Sequence, residues 1–172
     1  MTNLPLSASE GLEKVLEHYN KMVFRLAYSR TGKYHDANDV MQDVFLRYIK
    51  ADKTYNDEEH RKAWFIRATV NCSKSFVTTA WNRHRSAGEI QDDLEGSVDS
   101  SLEKYDTKNA VIEAVLALPE KYRTVVHLFY YEDLPVAKIS EYTGISLSNV
   151  KTRLTRAREM LKETLKGVEF DD

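Results

Sequence analysis

The stretch from Leu118 to Leu161, LPEKYRTVVHLFYYEDLPVAKISEYTGISLSNVKTRLTRAREML, admits few folds. It reads as a helix, a short helix, a glycine turn and a longer helix with polar side chains on one face. Ile139 and Ile145 should point inward. Ser140 is small where two helices would approach closely. Gly144 permits the positive φ that a tight turn between helices demands. Ser146 is a natural N-cap for the last helix.

That helix can be placed on a wheel at about 100° per residue. Val150, Leu154, Ala157, Leu161 and Leu165 fall together and face a core. Ser148, Asn149, Thr152, Thr155 and Arg156 fall opposite, with Lys151 and Arg153 flanking them. Such groups can reach base edges in a major groove: arginine to guanine, asparagine to adenine, threonine to a base or a methyl. Lys151, Arg158 and Lys162 are better placed for phosphates. A solvated amphipathic helix would show basic residues too. It would not need the turn and cap spacing, nor keep its first exposed turns free of acids until Glu159.

A DNA-reading helix sits oddly in a chain of net charge −2. Segmenting the charge removes the conflict. Residues 1–88 carry a net +4, residues 89–106 a net −6 and residues 107–172 a net zero. The middle piece, EIQDDLEGSVDSSLEKYD, sets seven acids against Lys104 alone. With Gly, Ser and Asp and strong self-repulsion, it reads as a flexible acidic linker. The expected fold is all-α, two small helical domains at 1–88 and 107–172 joined by that linker, the second a helix-turn-helix.

The first domain reads as a three-helix bundle. Leu12, Val15, Leu16, Tyr19, Met22, Val23, Leu26 and Ala27 make one apolar stripe. Thr31-Gly32-Lys33 breaks it. A second helix follows, with Asp36 near its start and Ala37, Val40, Met41, Val44 and Tyr48 as its buried stripe. A third begins after Asp57-Glu58-Glu59 and runs through Trp64, Ala68 and Cys72. In the second domain, Val111, Val115 and Leu118 share a face. Pro119 starts the next helix, which carries Tyr122, Val125, Val126 and Phe129. No sheet is required.

Several classes of function are disfavoured. The five histidines are scattered, and neither a Gly-rich phosphate loop nor a Gly-x-Ser-x-Gly turn occurs. The lone Cys72 excludes an internal disulfide and reads as a small buried hydrophobe in a reducing cytoplasm. No apolar run approaches the roughly 18 residues of a membrane span, so no membrane insertion is expected. The N-terminal MTNLPLSASEGLEKVL has no secretion signal. No catalytic residue, metal site or cofactor is expected. A stand-alone helix-turn-helix regulator whose N-terminal bundle dimerises remains an alternative.

The C-terminal stretch resembles the promoter-reading domain of bacterial sigma-70 family sigma factors, in particular the small extracytoplasmic-function (ECF) group. The family's Leu-Pro, Arg and final Val-basic-Ser/Thr-Arg-Leu-x-Arg-Ala appear as Leu118-Pro119, Arg123 and Val150-Lys151-Thr152-Arg153-Leu154-Thr155-Arg156-Ala157. The family's Ala-x-Asp-x-x-Gln-Asp/Glu-x-Phe appears as Ala37-Asn38-Asp39-Val40-Met41-Gln42-Asp43-Val44-Phe45. A third segment, Ala63-Trp64-Phe65-Ile66-Arg67-Ala68-Thr69-Val70-Asn71, resembles the family's Trp-x-x-x-Ala/Thr-x-Asn. There are departures. Lys138-Ile139-Ser140 stands for Glu-Ile-Ala, Thr143 for Leu, Asn149 for a frequent Thr, and Cys72-Ser73-Lys74 where an Asp and an Arg-rich run are usual.

The resemblance implies an alternative sigma factor that binds core RNA polymerase and recognises −10 and −35 promoter DNA. It implies that Asp39, Gln42 and Asp43, with Leu46 and Arg47 beside them, dock on polymerase. Acids early in a helix also offset its dipole. Trp64, Arg67, Asn71 and Lys74 match the segment that opens and reads the −10 element, with Trp81, Arg83, His84 and Arg85 extending its basic-aromatic character. Trp64 at helical spacing also suits a core position, the preferred reading for that residue. Ser148, Asn149, Lys151, Thr152, Arg153, Thr155 and Arg156 would read the −35 element. The family further implies an anti-sigma partner, membrane-bound in some members.

Overall fold

A computed structural model describes the backbone of residues 6–7, 11–87 and 106–168, and the side chains of 11–74, 76 and 110–168. The acidic segment 89–106, apart from the backbone of Asp106, lies outside the described residues. The chain divides into two compact units, Met1–Ile90 and Gln91–Asp172.

The first unit holds three helices: α1 (Leu12–Thr31), α2 (Tyr34–Ala51) and α3 (Glu58–Ala87). Gly32 ends α1 in the left-handed region at φ 70°, and its N–H reaches the Tyr28 carbonyl at 2.8 Å. One addition to the all-helical expectation is a two-residue antiparallel pair, β1 (Leu6–Ser7) with β2 (Thr54–Tyr55). It ties the chain ahead of α1 to the loop between α2 and α3.

The stripes of α1 and α2 sink into a common core. Val23, Leu26, Ala27, Ala37, Val40, Val44 and Tyr48 are fully buried. Met41 is only half-buried against it. The third helix departs more from its pattern. Trp64 and Ala68 are half-buried, whereas Phe65, Ile66, Thr69, Val70, Cys72 and Ser73 are buried. The cause is packing on two sides: α3 contacts both α1 and α2, so its buried arc is wider than one stripe. Phe65 lies at the meeting point. Its ring stacks on Tyr19 of α1 at 4.4 Å and on Tyr48 of α2 at 4.9 Å, with Phe45 edge-on at 5.7 Å.

Several of the polar groups buried here have partners. The Tyr19 hydroxyl donates to the Glu58 carboxylate at 2.7 Å. Burial, then that carboxylate, pushes the Tyr19 phenol above its ordinary range. Glu58 also pairs with the buried Arg61 at 3.0 Å, whose guanidinium lies 5.7 Å over the Tyr55 ring. The buried Arg30 of α1 donates to the Ser73 hydroxyl of α3.

The second unit holds α4 (Asp106–Ala117), α5 (Glu120–Val126), α6 (Val136–Thr143) and α7 (Leu147–Thr164). Pro119 caps α5 rather than opening it. The helix expected to run through Phe129 instead widens into a π-helical turn, His127–Tyr131. Glu132 N–H bonds back to the His127 carbonyl at 3.2 Å, five residues away. Asp133 then leaves with φ 51°. Leu128, Ile139, Val150, Leu154 and Ala157 form the core between these helices, while Leu161 and Leu165 are half-buried.

The turn between α6 and α7 uses two of the sequence's departures. Gly144 adopts φ 77°, and Ile145 is half-buried rather than inside. The Ser140 hydroxyl donates to the Ile145 carbonyl at 2.6 Å. The Thr143 hydroxyl donates to the Ile139 carbonyl at 2.6 Å and receives the Ile145 N–H at 3.3 Å. The side chains standing for Ala and Leu thus brace the turn with polar contacts.

Two substitutions check this packing. Phe65→Ala should lower the stability of the first unit by about 3–5 kcal/mol, read from the urea midpoint of Trp fluorescence. A shift under about 1 kcal/mol would mean that Phe65 does not anchor the three helices. A Cβ at Gly144 would meet nothing within 4 Å, so Gly144→Ala isolates backbone strain. It should cost roughly 1–2 kcal/mol in thermal melting, and Gly144→Asn less. Equal melting for glycine and alanine would contradict the left-handed turn.

Candidate functional site

Three exposed faces carry the residues singled out by sequence. On α2, Asp39, Gln42 and Arg47 are exposed and Asp43 is half-buried. Leu46 and Ile49 lie bare beside them, 54% and 45% exposed. The face opposite the buried stripe is therefore mixed, an apolar pair rimmed by acids, an amide and a guanidinium.

Asp43 links this face to the next helix. Its carboxylate pairs with Arg47 one turn on at 3.3 Å. That hydrogen bond raises the Arg47 guanidinium above its ordinary range. Asp43 also accepts a hydrogen bond from the Cys72 thiol of α3. Burial, and then Asp43, push that thiol up to about 11. The usual aspartate, if it fell at this position, would set two carboxylates against each other. The thiol removes that repulsion.

On α3, Arg67, Asn71 and Lys74 are exposed, and their spacing of four and three puts them on one face. Trp64 leads into the same face but is half-buried, its ring edge-on to Phe65 at 5.2 Å and Tyr48 at 5.5 Å. It packs as a core-edge residue, in keeping with the preferred sequence reading. The side chains of Trp81, Arg83, His84 and Arg85 lie outside the described residues.

On α7, the Ser146 hydroxyl accepts the Asn149 N–H at 3.3 Å, the expected cap. Ser148, Asn149, Lys151, Thr152, Thr155 and Arg156 are exposed, while Arg153 is half-buried. The Thr155 hydroxyl donates to the Lys151 carbonyl at 3.0 Å, which turns its free lone pairs outward. Arg156 is braced from α5. It hydrogen-bonds the Tyr122 hydroxyl, lowering that phenol, while Lys121 sits 5.0 Å over the Tyr122 ring. Arg158 is held by the π-helical turn: its Nε donates to the Tyr130 hydroxyl at 2.7 Å.

Tyr122, Tyr130 and the Asp43–Cys72 link were missed from sequence. Each joins residues far apart in the chain, and no spacing rule relates them. Among the described residues, no cluster of His, Cys, Asp and Glu could hold a metal ion, and no helix is long and apolar enough to cross a membrane.

Two helical units, the second closing on a braced helix-turn-helix, define the class, and comparison with known proteins specifies it. The Sigma-70 region 2 family matches residues 15–83, and the Sigma-70, region 4 family matches residues 108–161. The ECF RNA polymerase sigma factor SigW of Bacillus subtilis is 26% identical over 178 residues, spanning 92% of this chain and 91% of its own. The ECF RNA polymerase sigma factor SigM of the same organism is 29% identical over 156 residues, spanning 88% of this chain and 93% of its own. Among solved structures, the sigma factor RpoE of Bartonella quintana, in complex with the anti-sigma factor NepR, shares the fold. Its TM-score is 0.63 at 22% identity, over 92% of this chain and 98% of that one.

The chain belongs to the sigma-70 family, in its extracytoplasmic-function group. It is an alternative sigma factor, directing promoter-specific transcription initiation.

The thiol geometry has a direct check. At pH 8 native Cys72 should react with iodoacetamide on the order of a hundredfold more slowly than the unfolded chain. The native rate should climb as pH rises toward the thiol's raised value, because only the thiolate attacks. Comparable native and unfolded rates would place Cys72 outside the core and away from Asp43.

Proposed function

We propose that the three faces divide the work of initiation. The α2 face of Asp39, Gln42, Asp43, Leu46 and Arg47 docks on core RNA polymerase. Its apolar pair supplies buried area, and its rim supplies orientation. The α3 face of Arg67, Asn71 and Lys74, with Trp64 at its edge, takes the opened −10 strand. Cations hold the backbone and the Asn71 amide reads a base edge. The α7 face of Ser148, Asn149, Lys151, Thr152, Arg153, Thr155 and Arg156 reads the −35 duplex.

The first two roles fall to residues 1–88 and the third to residues 107–172, with 89–106 as the tether. The observation that carries this reading is the exposure of all three faces on elements that match sigma regions in family order. Chain chemistry stays with the polymerase: this protein contributes binding and strand capture, without a catalytic group or cofactor of its own. It works in the cytoplasm, where promoter DNA lies. The solved relative was captured with an anti-sigma factor. We extend that kind of partner to this chain, and a membrane-bound form of it would couple initiation to events outside the cell.

Run-off transcription tests the reading. Transcript from a cognate promoter should need both core polymerase and this protein. Asp39→Lys with Gln42→Ala should weaken co-elution with core polymerase by at least about tenfold, while leaving the melting temperature in place. Asn149→Ala should cost about 1–3 kcal/mol at one −35 base pair only. A protein that does not co-elute with core polymerase would falsify the proposal.

A further inference from the structure

The π-helical turn has a product that the three faces do not use. It turns Tyr130 and Tyr131 outward, 50% and 55% exposed, beside the flank of α7. The Arg158 guanidinium lies 5.5 Å over the Phe129 ring and 5.7 Å over the Tyr130 ring, with its Nε bonded to the Tyr130 hydroxyl at 2.7 Å. A guanidinium has five N–H donors. One is spent on Tyr130, and the other four meet no partner among the described residues. The phenol accepts from Nε, so its own O–H is free to donate. A pinned cation and a hydroxyl donor therefore point at the same solvent.

We propose that Tyr130 and Arg158 form a backbone-phosphate clamp for duplex DNA, outside the base-reading face. The proposal rests on α7 being the DNA-facing helix. Its ligand is a phosphodiester, gripped by the guanidinium fan and the phenol together. Lys151 and Lys162 are exposed on the same edge of α7, seven residues before Arg158 and four after, which makes a cationic rail. Glu159 and Glu163 fall about 100° or more around the helix from Arg158. Glu132, the acid nearest in sequence, lies 3.7 Å from the buried His127. Aromatic rings and arginine also suit a protein partner. The open N–H fan beside two lysines favours a phosphate.

The stacking matters to the energetics. A free arginine loses side-chain entropy when it grips a ligand. Arg158 is held in place before DNA arrives, so less is lost on binding. Tyr130 is thus both a donor and the positioning residue for Arg158.

The test uses holoenzyme assembled from core polymerase and the full chain. Duplex affinity is measured across a salt series for wild type, Tyr130→Phe, Arg158→Gln and the double variant. Arg158→Gln should weaken binding roughly tenfold, equally on cognate and base-substituted −35 sequences. The slope of log affinity against log salt should shrink by about 0.9. Tyr130→Phe should weaken binding less, also without sequence dependence, and add nothing once Arg158 is gone. An unchanged slope for Arg158→Gln overturns the clamp. So does a loss confined to one base pair, which makes Arg158 a base reader, or a loss confined to core association, which makes the pair a protein contact. The slope is readable on any duplex. A holoenzyme without promoter preference therefore condemns the proposed function separately from the clamp.

Discussion

The packing of Phe65 between Tyr19 and Tyr48 is the contact on which the first unit depends. It brings α1, α2 and α3 to one point, at centroid distances of 4.4 and 4.9 Å. Each aromatic pair is worth about 0.5–1.5 kcal/mol beyond its area burial, and together they set the roll of α3 about its axis. That roll decides what α3 shows to solvent. With Phe65, Thr69 and Cys72 inward, Arg67, Asn71 and Lys74 must face out. The face that the proposed function gives to the −10 strand is thus a consequence of where one phenylalanine sits.

Buried polar ties then remove the remaining freedom. Arg30 to Ser73 and Tyr19 to Glu58 each join α1 to α3, while Arg61 and Glu58 close the start of α3 on itself. Such groups stabilise little in net terms, but stripping one partner leaves a buried charge or donor uncompensated. They act against sliding and rotation more than against unfolding. The Asp43 bridge belongs with them. It reaches from the α2 face to Cys72, so the docking and strand-capturing faces of the proposed function are held in one register by a carboxylate and a thiol.

Much of this was legible in the sequence, and the failures have definite causes. The stripes of α1, α2 and α7 were readable because each helix buries a single face, and the Ser146 cap and Gly144 turn because their chemistry is local. The buried arc of α3 was legible only in part, because a helix packed on two sides has no single face. The π-helical turn was invisible: HLFYY has ordinary helical residues, and the extra residue shows only in the hydrogen bonds of the fold. For the same reason the braces of the α7 arginines have no signature in the sequence. In the structure, Arg156 and Arg158 are braced by Tyr122 and Tyr130, partners tens of residues away.

Charge explains why such a reader works as part of an assembly. Residues 107–172 carry no net charge, so the helix-turn-helix part of the chain lacks the broad positive field that draws a protein to DNA. Its ten cations are matched by ten acids, and five of those cations lie along α7. Each phosphate contact adds salt-dependent affinity, and a handful of them gives only weak duplex binding at physiological salt. Sequence discrimination does not suffer, because it rests on base edges rather than on phosphates. What is missing is local concentration. On the proposed reading, residues 89–106 tether it to a unit already docked on polymerase, which supplies an effective concentration on the order of millimolar, enough to engage a weak reader. On the same reading, the acids of that tether keep the reader from being drawn to bulk DNA by charge alone. On the proposed reading, weakness in the isolated helix-turn-helix confines promoter recognition to the holoenzyme.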